Sequence, residues 1–466
     1  MLARAKRFFD VQGTGCRGPW RLFWVAFAVR LLYMTFAHTY RVRPYEEHFN
    51  FAWEAGRIAK ALVTGCGYSD PFANSQLPHT GPTAWLPPLY PLLVAGAFRV
   101  FGIYTPASAW VLLAINCVLS AATALAVWEI GARCFGMRVA LWSGWLWALH
   151  PAAMQYAVRW IWETSLTTAL FAWVIVLSLR MRNINPATGL DHHEHDVEPK
   201  DDDDSPATTM QLKHWLIFGL LWGLIALSNS TLLLFLPVNG LWLLLGAWPR
   251  RASRLRAIKG SIAAACVVVA CIAPWTLRNW NAFHAFIPLR GNFGAELYMG
   301  DGPGSTGLLM TYDHPHTAPG QLKLYAAMGE VRYVAMRGAA ARSFIRAHPA
   351  HFAQIVARRI YWFWAGVPSD DRWPAETARL LNFGFISLAG LMGLGLALER
   401  RAPAAGLFAW AFALLPLTYY LVTVHARFRH PLEPLMCVLG VFLFQSTGRS
   451  EVDGEAVRPP PTSELR

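Results

Sequence analysis

The feature that most constrains this chain is the recurrence of long apolar stretches from one end to the other. An apolar run of about 17–25 residues is long enough to cross a bilayer as a helix. Such runs fall near 20–39, 107–131, 139–157, 161–181, 212–229, 231–248, 260–277, 379–398, 404–424 and 432–446. Composition agrees, with 55% hydrophobic and only 15% charged residues, against about 25% charged in a soluble domain. The expectation is an all-α polytopic membrane protein with about ten transmembrane helices. A cytosolic enzyme, a disordered chain and a disulfide-stapled secreted domain are excluded. The Cys residues are scattered, mostly within apolar spans (Cys117, Cys266, Cys271, Cys437), and form no CxxC pair. Neither a disulfide framework nor a metal site is indicated.

The net charge of +13 would suggest nucleic acid in a soluble protein. Here the bases cluster between apolar spans and read as topology signals and headgroup contacts. Basic connectors occur at Arg133/Arg138, Arg180/Arg182, Arg250–Lys259 and Arg400/Arg401. Two spans separate each from the next, so all four share one side, which the positive-inside rule makes cytoplasmic. The basic N-terminus (Arg4, Lys6, Arg7, Arg17, Arg21) joins them and shows no small-residue cleavage site. An even number of crossings must precede Arg133. The additional apolar stretch 85–102, with Pro87, Pro88 and Pro91, is therefore expected to lie at the interface without crossing.

This arrangement leaves two large extracytoplasmic segments. The first, 40–106, opens on an amphipathic stretch in which Phe51, Ile58 and Leu62 recur at helical spacing, as in a helix on the membrane surface. The second, 278–377, shows helical patterns near 320–347 and 350–364 and is long enough for a small outer helical domain. The chain thus divides into a seven-span membrane region (1–277), the outer segment (278–377), C-terminal spans (378–446) and a tail (447–466). The insert 183–211 carries Asp191-His192-His193-Glu194-His195-Asp196; its polar, aperiodic flanks read as a disordered cytoplasmic linker, and the Pro-rich tail reads likewise.

Ionisable residues at membrane depth are costly, which makes each a functional candidate. Glu47 and Glu54 bracket Phe51 and would share one face of the surface helix, either as solvated polar residues or as a proton acceptor. Glu163 enters an apolar helix in Arg159-Trp160-Ile161-Trp162-Glu163, with Arg159 one turn earlier as partner. Arg278 and Asn279 end the seventh span. His425, Arg427, Arg429 and His430 crowd a short outer connector, against the charge rule, and suit either a phosphate or an interfacial anchor. In an extended connector Arg427 and Arg429 would point to one face.

In this order the pieces resemble the GT-C superfamily of membrane glycosyltransferases. The likeness is strongest to bacterial relatives of family 39, which include protein O-mannosyltransferases and the lipid A aminoarabinose transferase. The resemblance covers roughly 20–445. It rests on Trp53-Glu54-Ala55-Gly56-Arg57-Ile58-Ala59, Gly65-Cys66-Gly67-Tyr68, Pro88-Leu89-Tyr90-Pro91, Phe101-Gly102, Trp162-Glu163, Arg278 and Arg427-Phe428-Arg429. It implies an inverting transfer of a hexosyl or pentosyl group from a polyprenyl-phosphate carrier. The acceptor would be a glycan, lipid or protein on the outer face of the cytoplasmic membrane. No cofactor is implied beyond that lipid-linked donor. An acidic residue of the first outer loop would be the base, and Arg side chains would hold the lipid phosphate. The family's usual acidic position is Phe51 here, so the base falls to Glu54 or Glu47, with Glu163 as the acidic residue of the fourth span. Arg159, Arg278, Asn279, His425, Arg427, Arg429, His430 and Tyr90 form the expected substrate-binding set. A lipid-linked saccharide flippase or secondary transporter is the alternative. It is less well supported because no internal repeat is visible and the charges gather at the outer interface rather than at midplane.

Overall fold

A computed structural model describes residues 17–42, 51–186, 211–248, 251–308, 313–368 and 373–455. Glu47 lies outside them, as do most of the insert 183–211 and the end of the tail. The described chain is all-α, with one isolated β-bridge, Ser69 to Pro82. Among the described residues, five helices are long and apolar enough to cross a membrane: Pro106–Phe135, Thr164–Met181, Ser230–Ala247, Arg251–Phe283 and Glu376–Glu399. Shorter apolar helices occupy Leu89–Phe101, Leu212–Ala226 and Ala405–Leu421. This is a multi-pass membrane protein.

Helix α1 (Arg17–Phe36) packs on α4 (Pro106–Phe135), with α2 (Trp53–Val63) and α3 (Leu89–Phe101) between them in sequence. Thr105 begins α4 by accepting a hydrogen bond from Ser108 N at 3.1 Å, and Pro106 takes the first-turn position that needs no donor. The expected span 139–157 is two helices, α5 (Met137–Leu149) and α6 (Pro151–Val158). Pro151 cannot continue α5, and the extended His150 caps α6 instead. The break frees the last carbonyls of α5 inside the bundle. Arg30 of α1 satisfies them, donating to Trp147 O at 3.1 Å and Ala148 O at 2.8 Å. A cation at a helix C-terminus is favoured by the dipole as well.

Beyond α7 (Thr164–Met181) come α8 (Leu212–Ala226), a 3-10 turn (Ser230–Phe235), α9 (Leu236–Ala247) and the long α10 (Arg251–Phe283). The second segment folds as α11 (Phe293–Asp301), α12 (Pro319–Met328), α13 (Glu330–Ala347) and α14 (Pro349–Ala365), so the helices expected near 320–347 and 350–364 are present. Gly329, with φ +74, separates α12 from α13, a conformation glycine adopts at low cost. The chain closes with α15 (Trp373–Glu399), α16 (Ala405–Leu414), α17 (Leu417–Leu421), a 3-10 turn (Ala426–Leu432) and α18 (Glu433–Glu455). Helix α18 runs past 446, so the tail begins later than its composition suggests.

One end of the bundle collects the basic connectors. Arg133 and Arg180 both reach Glu129, at 2.8 and 2.5 Å, and Arg133 donates to Ile184 O at 2.6 Å. Arg182 covers the Trp242 ring at 4.3 Å, while Arg400 approaches Phe442, which stacks on Phe135. The opposite end, called the loop end below, carries α2, the 64–88 loop and α11–α14. Leu89 N donates to Leu227 O there, tying the start of α3 to the end of α8. At about 1.5 Å per residue α3 extends about 20 Å, short of a hydrocarbon core of about 30 Å.

Candidate functional site

Sequence periodicity predicts a surface helix with a solvated polar face, and α2 departs from it. Every residue from Trp53 to Ala61 except Lys60 is buried. Its first turn is fixed by Phe51, which packs on Phe98 and Tyr104. Gly56 permits this, since a Cβ there would fall 2.5 Å from Phe51 O. The helix starts at Trp53, and Glu47 lies outside the described residues.

Glu54 is therefore a buried carboxylate, 6% exposed. Its Oε1 lies 3.5 Å from His314 Nε2. His314 Nδ1 accepts a hydrogen bond from His316 N at 3.1 Å, which leaves the ring proton on Nε2, facing Glu54. Burial raises the Glu54 pKa, but the His314 N–H, helped by a backbone hydrogen bond and the electrostatic pull of the two imidazoles, holds it below the usual carboxylate range. Glu54 is thus ionised at neutral pH. His314 is itself packed between rings, stacked on Trp53 at 4.9 Å and met edge-on by Phe72 at 5.3 Å and by Trp85 at 6.0 Å.

From Trp53 an aromatic wall leads away from the carboxylate. The Trp53 ring lies 6.3 Å from that of Trp162, and the Arg427 guanidinium sits 3.7 Å above the other ring. Nε and Nη1 of Arg427 are buried with no hydrogen-bond partner among the described residues. A buried, unmatched cationic donor is costly. It borders a small cleft lined by Glu163, Thr164, Thr167, Asn229, Arg427, Phe428 and Pro431. Thr164 opens α7, so the cleft also faces a helix N-terminus, where anions are favoured. Glu163 adds a negative charge to the same cleft.

The expected arginine pair does not converge. Residues 426–432 form a 3-10 turn, in which positions two apart diverge by about 240°. Arg429 points the other way and is saturated: it donates to Glu433 Oε1 (Nη2, 2.9 Å), to Phe383 O (Nη1, 2.9 Å) and to Ser387 Oγ. His430 meets Glu433 Oε2 at 2.5 Å and stacks on Trp147. His425 caps the turn, accepting from Arg427 N at 3.3 Å. Arg278 is likewise committed. It donates to Thr83 O at 2.6 Å and to Tyr68 O, so it pins the 64–88 loop to α10. Asn279 donates to Ile287 O at 2.9 Å. Arg159 is exposed and makes no ion pair with Glu163, because a helix break replaces the helical spacing between them. Tyr90 is buried within electrostatic range of Glu163.

Sequence reading overlooked three residues. His314 and His316 lie in Asp313-His314-Pro315-His316, a motif legible as an ionisable cluster but far in sequence from Glu54. Glu330 is buried and clamps the two loop-end segments together. It accepts from Thr83 Oγ1 at 2.5 Å, Ala84 N at 2.7 Å and Tyr325 OH at 2.7 Å, and burial raises its pKa.

Among solved structures, the chain is similar to the Archaeoglobus fulgidus oligosaccharyltransferase in the apo form, with TM-score 0.53 at 13% identity over 96% of this chain and 53% of that one. Weaker likenesses, too low to carry an argument, are to two further structures. One is the archaeal oligosaccharyltransferase AglB from Archaeoglobus fulgidus in complex with an inhibitory peptide and a dolichol-phosphate (TM-score 0.49, 13% identity, 95% of this chain and 52% of that). The other is ArnT from Cupriavidus metallidurans bound to undecaprenyl phosphate (TM-score 0.37, 13% identity, 94% and 81%). The chain spans about half the length of the oligosaccharyltransferases it matches. No protein-family model and no curated protein sequence matches it. The first likeness shows a fold shared with that oligosaccharyltransferase and does not single out family 39.

Proposed function

We propose that this protein is a glycosyltransferase of the cytoplasmic membrane, with about ten spans and its loop end facing outward. It would move a sugar from a polyprenyl-phosphate carrier to a glycan, lipid or protein acceptor. The observation that carries this reading is the pairing of an ionised, buried Glu54 with an Arg427 that has two buried nitrogens without a hydrogen-bond acceptor among the described residues, at opposite ends of one aromatic wall. Transfer to a hydroxyl needs both ends. A carboxylate takes the acceptor proton as the oxygen attacks the anomeric carbon. The bond from that carbon to phosphate oxygen breaks, and a guanidinium accommodates the charge left on the carrier phosphate. Attack opposite the leaving group inverts the anomeric centre.

Within this reading Glu54 is the base and His314 its positioning partner. Arg427 and the start of α7 receive the phosphate, which takes up the open donors. Glu163, beside Arg427, orients a sugar or acceptor hydroxyl. Arg429, His430, Arg278 and Asn279 hold the scaffold and do not touch substrate. The fold shared with a membrane oligosaccharyltransferase supports the reaction class.

The test is mass spectrometry of envelope glycans and polyprenyl-phosphate sugars with and without the gene, and with the gene carrying Glu54→Gln. Accumulated donor and a missing glycan in both mutant strains are expected. A Glu54→Gln strain indistinguishable from wild type would overturn the assignment of the base. Carrier that fails to cross the membrane, with transfer intact, would point to a flippase.

A further inference from the structure

The hairpin that follows α2 brings a thiol, a carboxylate and an imidazole together at the loop end. Cys66 N donates to Ala61 O at 2.9 Å, which folds the chain back over the end of α2. Asp70 N then donates to Gly81 O at 2.9 Å and Thr83 N to Tyr68 O at 3.2 Å, zipping the two arms of the hairpin. Gly67 and Gly81, both at positive φ, allow the reversal. As a result the ligand atoms of Cys66, Asp70 and His79 all lie within 4.8 Å of one another.

The carboxylate of this group is set in place before any ligand arrives. Asp70 is buried, and its Oδ1 accepts from Thr80 N at 2.7 Å and Gly81 N at 3.0 Å. Its Oδ2 accepts from Ser69 Oγ at 3.0 Å and faces His79 Nδ1 at 3.2 Å. Cys66 and His79 are exposed, so an ion would enter directly from solvent. Metal sites are built this way, with ligands held by outer hydrogen bonds and an open approach.

We propose that Cys66, Asp70 and His79 bind a divalent cation of the zinc class. The mixed sulfur, oxygen and nitrogen donors select against calcium and magnesium, which take oxygen ligands. Three protein ligands leave a fourth tetrahedral position for water. Charge balances, since thiolate and carboxylate offset the two positive charges while the imidazole stays neutral. Binding releases the Cys66 thiol proton, and the His79 proton moves from Nδ1 to Nε2 as Nδ1 takes the metal.

The ion would brace the active-site wall. The same hairpin carries Phe72, which packs edge-on against His314 and Trp85. Arg57 of α2 donates to Ala73 O at 3.0 Å, so the hairpin is also tied to the helix that bears Glu54. The proposal is independent of the transfer reaction and stands or falls on binding.

The full-length protein in detergent, stripped with a chelator, is titrated with zinc against a chromophoric competitor. One zinc per chain is expected. Cys66→Ser or His79→Ala should abolish competition, and Ser69→Ala should weaken affinity about 10-fold, as for loss of an outer hydrogen bond. Cobalt should give a thiolate charge-transfer absorption that Cys66→Ser removes. A readout that needs no variant is alkylation of Cys66 in the wild type, which zinc should slow, followed by peptide mass spectrometry. Unchanged alkylation with zinc, or equal zinc affinity in the Cys66→Ser/His79→Ala double variant, would overturn the site.

Discussion

Arg427 and Arg429 stand two residues apart in one 3-10 turn, yet their surroundings are opposite. Arg429 is fully buried and matched on every side, by Glu433, Phe383 O and Ser387. Arg427 lies over Trp162 beside a cleft, and two of its nitrogens find no acceptor. A saturated buried pair contributes to holding the fold, because removing either partner strands the other charge. An unsaturated cation beside a cleft is worse for the empty protein and favourable only when an anion fills the cleft. The same contrast separates Glu330, which accepts three hydrogen bonds, from Glu54, whose carboxylate faces the His314 imidazole. Saturation marks scaffold, and its absence marks a place kept for a ligand.

The largest expected effect tests the unsaturated side. Glu54→Gln preserves shape but removes the proton acceptor, so the transfer rate should fall roughly 100- to 10,000-fold. Melting temperature and carrier binding should hardly change. Glu54→Gln with full activity would erase the distinction drawn between the two carboxylates.

Next comes the saturated side. Arg429→Ala leaves Glu433 buried at the head of α18 with only His430 to face it, which should cost up to about 3–5 kcal/mol of stability. It should appear as a lower melting temperature and poor membrane yield. Replacing Arg429 and Glu433 together with Met and Leu should recover much of that loss. Selective loss of carrier binding in a well-folded Arg429→Ala protein would make Arg429 a ligand contact and break the comparison.

The sequence revealed these regions unequally, for physical reasons. Apolar runs and basic connectors are local, and the helices and the shared basic end follow from them. Glu54 and Arg427 stand out because charge is rare in such a chain. What periodicity could not supply is burial by distant segments. The polar face of α2 looks solvated until 313–316 and the 64–88 loop close over it, bringing His314 to Glu54. Arg427 and Arg429 seem paired because an extended connector was assumed, whereas the 3-10 turn sends them apart. Similarly, Arg159 and Glu163 have helical spacing without a helix between them.

A smaller effect should follow at Arg427. Arg427→Lys keeps charge but loses the planar fork, and Arg427→Ala loses both. Hydrogen bonds to a charged group are worth about 1.5–3 kcal/mol, so Ala should weaken carrier binding by roughly 10- to 150-fold and Lys by less. Stability should change little, because the two unmatched donors are removed together with the contact to Trp162. Equal carrier affinity in wild type and Arg427→Ala would place the phosphate elsewhere and reduce Arg427 to an aromatic contact of Trp162.

The smallest effect is a displacement along the pH axis. In the native site burial pushes the Glu54 pKa up, and the His314 N–H, with the backbone hydrogen bond and the nearby imidazoles, more than reverses it. A depressed carboxyl pKa means that the ionised form is favoured by the fold. Its contribution is present at neutral pH and is lost as pH falls through the folded value, below the usual glutamate pKa of about 4.3. His314→Phe keeps a ring stacked on Trp53 but removes the donor. Burial then acts with less opposition, and the Glu54 pKa should rise. The acid limb of kcat/KM against pH should therefore move to higher pH, with the neutral plateau less affected. Glu54→Asp in the same background should retain a limb, whereas Glu54→Gln should have none to move. An acid limb unmoved by His314→Phe would show that His314 does not set the charge of Glu54. The carboxylate would then owe its ionisation to solvent, and the buried pair would belong with the scaffold, beside Arg429 and Glu433.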